Sequence, residues 1–195
     1  MMEFAALVKQ RRSIRHYIDR PVSHDLIEQI CEAGRWAPSA LNMQPWEFVV
    51  VTDPEVKRQL GSNAGVMGVK WPHISSAPVV IVICARKTSR FARDDCLLAA
   101  QNMMLQAADL GLGTCYIGGF SGERVRQLLQ IPSGYTVPTI ITVGHPHGQP
   151  PVPQKRPLSE LLHQDTFEGR GVGLTGYRRA LSMLGRLLTE RRNKP

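Results

Sequence analysis

The sequence predicts a sandwich of helices and strands, α/β or α+β, and two observations predict it. Four short apolar segments have strand length and are rich in β-branched residues: FVVVT (48–52), PVVIVIC (78–84), TCYIG (114–118) and TIITVG (139–144). Around them lie segments whose apolar residues recur every three to four positions, the helical period. No internal repeat and no low-complexity block interrupts this alternation.

Each element has a local cause. Phe4, Leu7 and Val8 share one helical face, which predicts a helix over residues 3–10 that runs into RRSIR. Ser23 is placed to cap a second helix with Leu26, Ile27, Ile30 and Cys31 inward, stopping before Pro38. After the first strand, Asp53-Pro54-Glu55 puts an N-cap residue, an N1 proline and an early acid in order, so a short helix follows, with Gly61 expected to end it. Residues 61–77 lack a clear period and read as a loop or lid. A long helix is expected from about Ser89 to Leu110, with Cys96, Ala99, Met103, Ala107 and Leu110 on one stripe and Gly111 just past its end. Ser121 should start another helix. Beyond GRGVGLTG, a connector rich in glycine, Tyr177, Leu181, Leu184 and Leu188 form one stripe of an amphipathic C-terminal helix. The expected organisation is a domain over 1–165 and a C-terminal extension over 166–195.

Composition narrows the function classes. The chain has 195 residues, 43% apolar and 21% charged, which suits one globular domain. No apolar run reaches the length of a membrane span and the start has no signal-peptide pattern, so a cytoplasmic protein without membrane contact is expected. A net charge of +8 favours anionic partners without choosing among them. Aromatic content is 6% and no recognition motif occurs, which argues against nucleic acid. Cys31, Cys84, Cys96 and Cys115 form no C-x-x-C pair and read as buried small hydrophobes; no metal site is expected.

Four segments could carry chemistry. RRSIR (11–15) offers guanidinium forks and a hydroxyl, the donor set for a phosphate dianion, although cations at a helix end need no ligand to be favourable. APSALNMQPWEF (37–48) offers short polar arms to a planar heterocycle, or is an ordinary helix-to-strand loop. In GLGTCYIGGFS (111–121), Gly118-Gly119 at a strand end lets backbone N–H groups approach a ligand. PQKRPLSELL (153–162) carries a second basic pair, Lys155 and Arg156. The G-x-G-x-x-G fingerprint, the P-loop, the G-x-S-x-G elbow and H-E-x-x-H spacing are all missing. No residue stands out as a catalytic nucleophile or base, so a cofactor is expected to carry any reaction.

These segments, in this order and with VGHP before the last, resemble the nitroreductase family of FMN-dependent oxidoreductases over roughly residues 3–163. The resemblance implies an α+β fold, a mixed α/β sandwich with a central mixed sheet flanked by helices, forming an intertwined homodimer with FMN at the subunit interface. By the same resemblance, Arg11 and Ser13 with Arg156 would hold the FMN phosphate, and Arg12 phosphate or ring oxygens. Arg15 would reach the pyrimidine end of the flavin, where a fixed cation stabilises the negative charge that gathers on reduction. Pro38, Ser39, Ala40 and Asn42 would come from the other subunit, and Gly118 and Gly119 would lie beside flavin N5. Lys155 is carried over only as a neighbour of Arg156.

The implied reaction is ping-pong: NADH or NADPH gives a hydride through N5, leaves, and a small-molecule acceptor such as a nitroaromatic or quinone takes two electrons at the same face. The alternative is a flavoenzyme of the same fold with other chemistry: reductive dehalogenation, azoline oxidation or flavin breakdown. One departure is Gly118, where some family members carry a large acidic residue; the pocket floor should be more open here.

Overall fold

The computed structural model describes residues 3–63, 65–66, 69–163 and 167. Residues up to Val152 form one compact unit, and the described residues from Pro153 belong to a second. The first unit is built on a four-stranded sheet of β1 (Trp46–Val51), β4 (Val79–Arg86), β5 (Gly113–Ile117) and β6 (Tyr135–Gly144). Its order is β1-β4-β6-β5 and every neighbouring pair is antiparallel. A separate two-stranded ribbon joins β2 (Gly65–Val66) to β3 (Val69–Lys70). The helices are α1 (Phe4–Gln10), α2 (His24–Arg35), α3 (Pro54–Asn63), α4 (His73–Ser76), α5 (Ala92–Asp109) and α6 (Gly122–Leu128). This is the expected α+β class, but the described strands of the sheet are all antiparallel where a mixed sheet was expected; no described helix is long and apolar enough to cross a membrane.

The central strands explain why PVVIVIC has no polar alternation. Val79, Ile81, Ile83 and Ala85 enter one core with α2 and α5; Val80, Val82 and Cys84 enter the other with Leu60, Ile74 and Val125. A strand covered on both faces must be apolar at every position. On the first side α5 presents Cys96, Ala99, Met103 and Ala107, all fully buried, as its stripe predicts. Its end is a Schellman turn: Gly111 N–H donates to the Ala108 carbonyl and Leu112 N–H to that of Ala107, with Gly111 at φ +74°.

Three expectations are corrected. The second strand-forming segment is preceded by structure: residues 61–77 hold the β2–β3 ribbon and α4 rather than a bare loop. Gly61 does not end α3, which continues to Asn63; a Cβ there would collide with the Ser75 hydroxyl, so this glycine serves close packing of α3 on α4. The long helix starts at Ala92, because Ser89 closes a turn before it, its hydroxyl accepting from Phe91 N–H. Ser121 does cap α6, accepting from Arg124 N–H. The C-terminal helix and the glycine-rich connector lie outside the described residues.

Candidate cofactor site

The residues of RRSIRHY are positioned by backbone pairing along β5. Arg11 ends α1, its N–H donating to the Leu7 carbonyl. Ser13 then forms a parallel bridge with Thr114, and Ile14 N–H donates to the Thr114 carbonyl at 2.8 Å. This is the one parallel pairing between described segments of the main sheet region; it enters as a bridge and not as a full strand. Farther on, Tyr17 pairs with Pro146, Ile18 N–H donates to the His145 carbonyl, and His147 N–H donates to the His16 carbonyl. The Tyr17 phenol donates to the Ile14 carbonyl at 2.7 Å and lies 2.6 Å from Thr142 Oγ1. Burial pushes that phenol above the usual tyrosine range, so it stays a neutral strut.

The docked segment divides its cations between two cavities. Arg11 and Arg12, with Ile14, Gly113, Thr114 and Pro146, line a cleft of about 480 Å³. Arg15 lines a smaller cavity of about 140 Å³ together with Trp71, His73, Cys115, Gly118 and Gly119. The structure therefore brings Arg15 and the Gly118-Gly119 pair into one pocket, 103 sequence positions apart from Arg15 to Gly118 (118 − 15). At Gly118 an added Cβ would meet only the edge of the Tyr116 ring, at 3.3 Å. Arg12 folds back over α1, donating to the carbonyls of Lys9 and Arg11, while its Nε is buried without a partner. The helix-end use of a cation and a free donor are both present in that one side chain.

Pro38, Ser39, Ala40 and Asn42 line neither cavity. They sit on a turn after α2 with left-handed backbone at Leu41, Asn42 and Gln44. The turn is held from within: Ser39 Oγ accepts from Gln44 N–H at 3.0 Å, and Ala40 N–H points at the buried Asp95 carboxylate, 3.3 Å away. Held this way it leaves Leu41 95% and Trp36 73% exposed. Arg156, in the second unit, pairs with Glu160 at 3.2 Å and is exposed.

Sequence reasoning missed Trp71 and His73. Both ring nitrogens, Trp71 Nε1 and His73 Nε2, are buried without a hydrogen-bond partner, and the two rings meet edge to face at 5.9 Å between centroids. The one available signal was composition: an aromatic and a histidine flanking Pro72, directly before a buried strand, in a stretch otherwise poor in pattern. Burial, aided by the positive fields of Arg15 and His16, pulls the His73 imidazole down to about 4, so it is neutral at physiological pH. Its segment is anchored by Lys57, whose ammonium donates to the carbonyls of Ala77 (2.9 Å) and Pro78 (3.1 Å).

A profile of the Nitroreductase family matches residues 8–145. The chain belongs to the nitroreductase family. That match takes in the docked arginines, the 38–42 turn and Gly118-Gly119, and stops short of Arg156. Among relatives of this family, the chain is 30% identical over 192 residues to a Bacillus subtilis FMN reductase [NAD(P)H], covering 86% of this chain and 75% of the relative. It is 31% identical over 191 residues to a Thermus thermophilus NADH dehydrogenase, covering 78% and 91%. In three dimensions it resembles an FMN-dependent nitroreductase from Clostridium difficile, with a TM-score of 0.76 and 30% identity over 84% of this chain and all of that one. The donor set fits a flavin mononucleotide on the family pattern. Cations that suit a phosphate stand at one cleft, a cation and a bare glycine pair at the next, and three buried polar atoms still lack partners.

Proposed function

We propose that the chain works as a homodimer holding FMN at its subunit interface, taking electrons from NADH or NADPH and reducing small acceptors such as quinones and nitroaromatics in alternating half-reactions. Its enzyme class is that of its family, an FMN-dependent NAD(P)H oxidoreductase. The observation that carries the reading is the cavity where Arg15 meets Gly118 and Gly119 between walls with unpartnered donors. When bound, FMN supplies the two-electron chemistry.

The chain's own groups have separable tasks. Arg11 and Ser13 hold phosphate through charge-assisted hydrogen bonds, a role that the family resemblance also gives Arg156. Arg12 adds its free Nε to phosphate or ring oxygens. Arg15 places a permanent cation where electron density collects, and its field stabilises that charge. Gly118 and Gly119 allow backbone N–H groups to approach because neither carries a side chain of its own. Pro38, Ser39, Ala40 and Asn42 serve the site of the partner subunit, which accounts for an apolar turn left open on its own chain.

The test is direct. Purified protein should be yellow or should take up added FMN, and anaerobic NADH or NADPH should bleach it. A protein that neither carries nor takes up FMN would sink the reading. Arg15→Ala should keep FMN but lower its reduction potential; an unchanged potential removes the role given to Arg15.

A further inference from the structure

His73 is 5% exposed and lines the cavity with part of its ring, while its Nε2 is buried and has no partner. A buried polar nitrogen of this kind costs stability unless something satisfies it, so its retention calls for a use. The ring is fixed from one side by Trp71 and its segment by Lys57, so it cannot easily turn away.

The groups around it leave few alternatives. The charged and titratable side chains that face it are Arg15 and His16 from the N-terminal segment; Cys115 and Tyr116 of β5 share the cavity wall. Arg15 is permanently charged. The Cys115 thiol is raised by burial and is a poor proton source at neutral pH. No carboxylate lines this cavity among the described residues. An imidazole is therefore the lining group suited to change its charge between about pH 5 and 8.

We propose that His73 is a redox-linked proton acceptor: its imidazole is neutral beside oxidised FMN and takes up one solvent proton when the flavin is reduced. This rests on FMN binding beside Arg15, as argued above. Two electrons and one proton reach FMN from NAD(P)H, which leaves one added negative charge in the cavity. Arg15 faces that charge with a fixed cation, and an opposite charge close by favours the charged form of the imidazole. One further proton then moves from solvent to the His73 imidazole. When the acceptor takes the two electrons with their proton, the negative charge is gone and His73 returns its proton to solvent. The physical gain is that the resting cavity carries the Arg15 charge without a second cation beside it, and the imidazole stays neutral until reduction supplies a counter-charge.

The experiment is anaerobic spectroelectrochemistry of the FMN-loaded enzyme between about pH 5 and 7. The potential of the wild type should fall with pH at the slope of two protons per two electrons. In His73→Phe, and in His73→Gln where a polar residue preserves the fold, the slope should halve to one proton per two electrons. Flavin-loaded variants that keep the wild-type slope would place the second proton on the flavin and overturn the proposal. A wild type already at the one-proton slope would overturn it too. A chain that takes up no FMN would overturn the proposal together with the reading beneath it, and flavin absorbance separates that failure from the other two.

Discussion

Among single residues, His73 has the clearest consequence for stability. Folded, it resists protonation down to about pH 4, chiefly because it is buried. Unfolded, it protonates near the ordinary histidine value of about 6.5. Between those values the unfolded chain binds more protons, so stability rises with pH across the window and falls as pH drops from 6.5 toward 4. The full penalty below pH 4 is of the order of 3 kcal/mol. His73→Leu in the flavin-free protein should flatten this part of the profile, measured as denaturant midpoints at pH 4.5, 5.5 and 6.5. Parallel profiles for variant and wild type would show that the imidazole is not neutral in the folded chain.

Two glycines distinguish backbone cost from packing cost among the elements. Gly111 has open space around it but sits at φ +74°, so Gly111→Ala should cost about 1–2 kcal/mol through conformation alone. Gly113, at the start of β5, has no such backbone demand. A Cβ there would lie 2.6 Å from the Ile14 side chain, which is packed and cannot swing clear. Gly113→Ala should cost about 1–3 kcal/mol and also weaken FMN binding, because Ile14 carries the arginine segment with it. Thermal melts and FMN titration of both variants check this: only Gly113→Ala should lose affinity. The contrast also shows what could be read beforehand. Gly111 was legible because helix ends announce themselves locally. Gly61 and Gly113 were not, since the atoms that exclude a Cβ come from Ser75 and Ile14, brought there by tertiary packing. The main strands and helices were legible for the same local reason. The ribbon and α4 were not: two-residue strands and a four-residue helix are too short to show a period. Arg15 and Gly118-Gly119 were legible through motif resemblance, whereas Trp71 and His73 were visible only once burial gave them a shared wall.

For the whole molecule, the apolar turn after α2 predicts assembly. Leu41, on a turn whose conformation is fixed from inside, and Trp36, at the end of α2, are more exposed than large apolar side chains of a lone domain usually are. On the proposed dimer, Leu41→Asp should shift light scattering from two copies to one, and FMN should be lost in step with the shift. A monomeric variant with undiminished FMN affinity would place the cofactor within one subunit.

The seam that holds the arginines joins residues far apart in the chain: Ser13 to Thr114, His16 to His147, Tyr17 to Thr142. Such closures repay their loop entropy only after the sheet they dock on exists. The cofactor pocket is therefore among the last regions to be completed and the first able to open, without the two cores on either side of β4 being disturbed. Bound cofactor would act as a clasp on the N-terminal segment, and amide exchange at Ile14 and Ile18 should slow far more on FMN binding than exchange within β4.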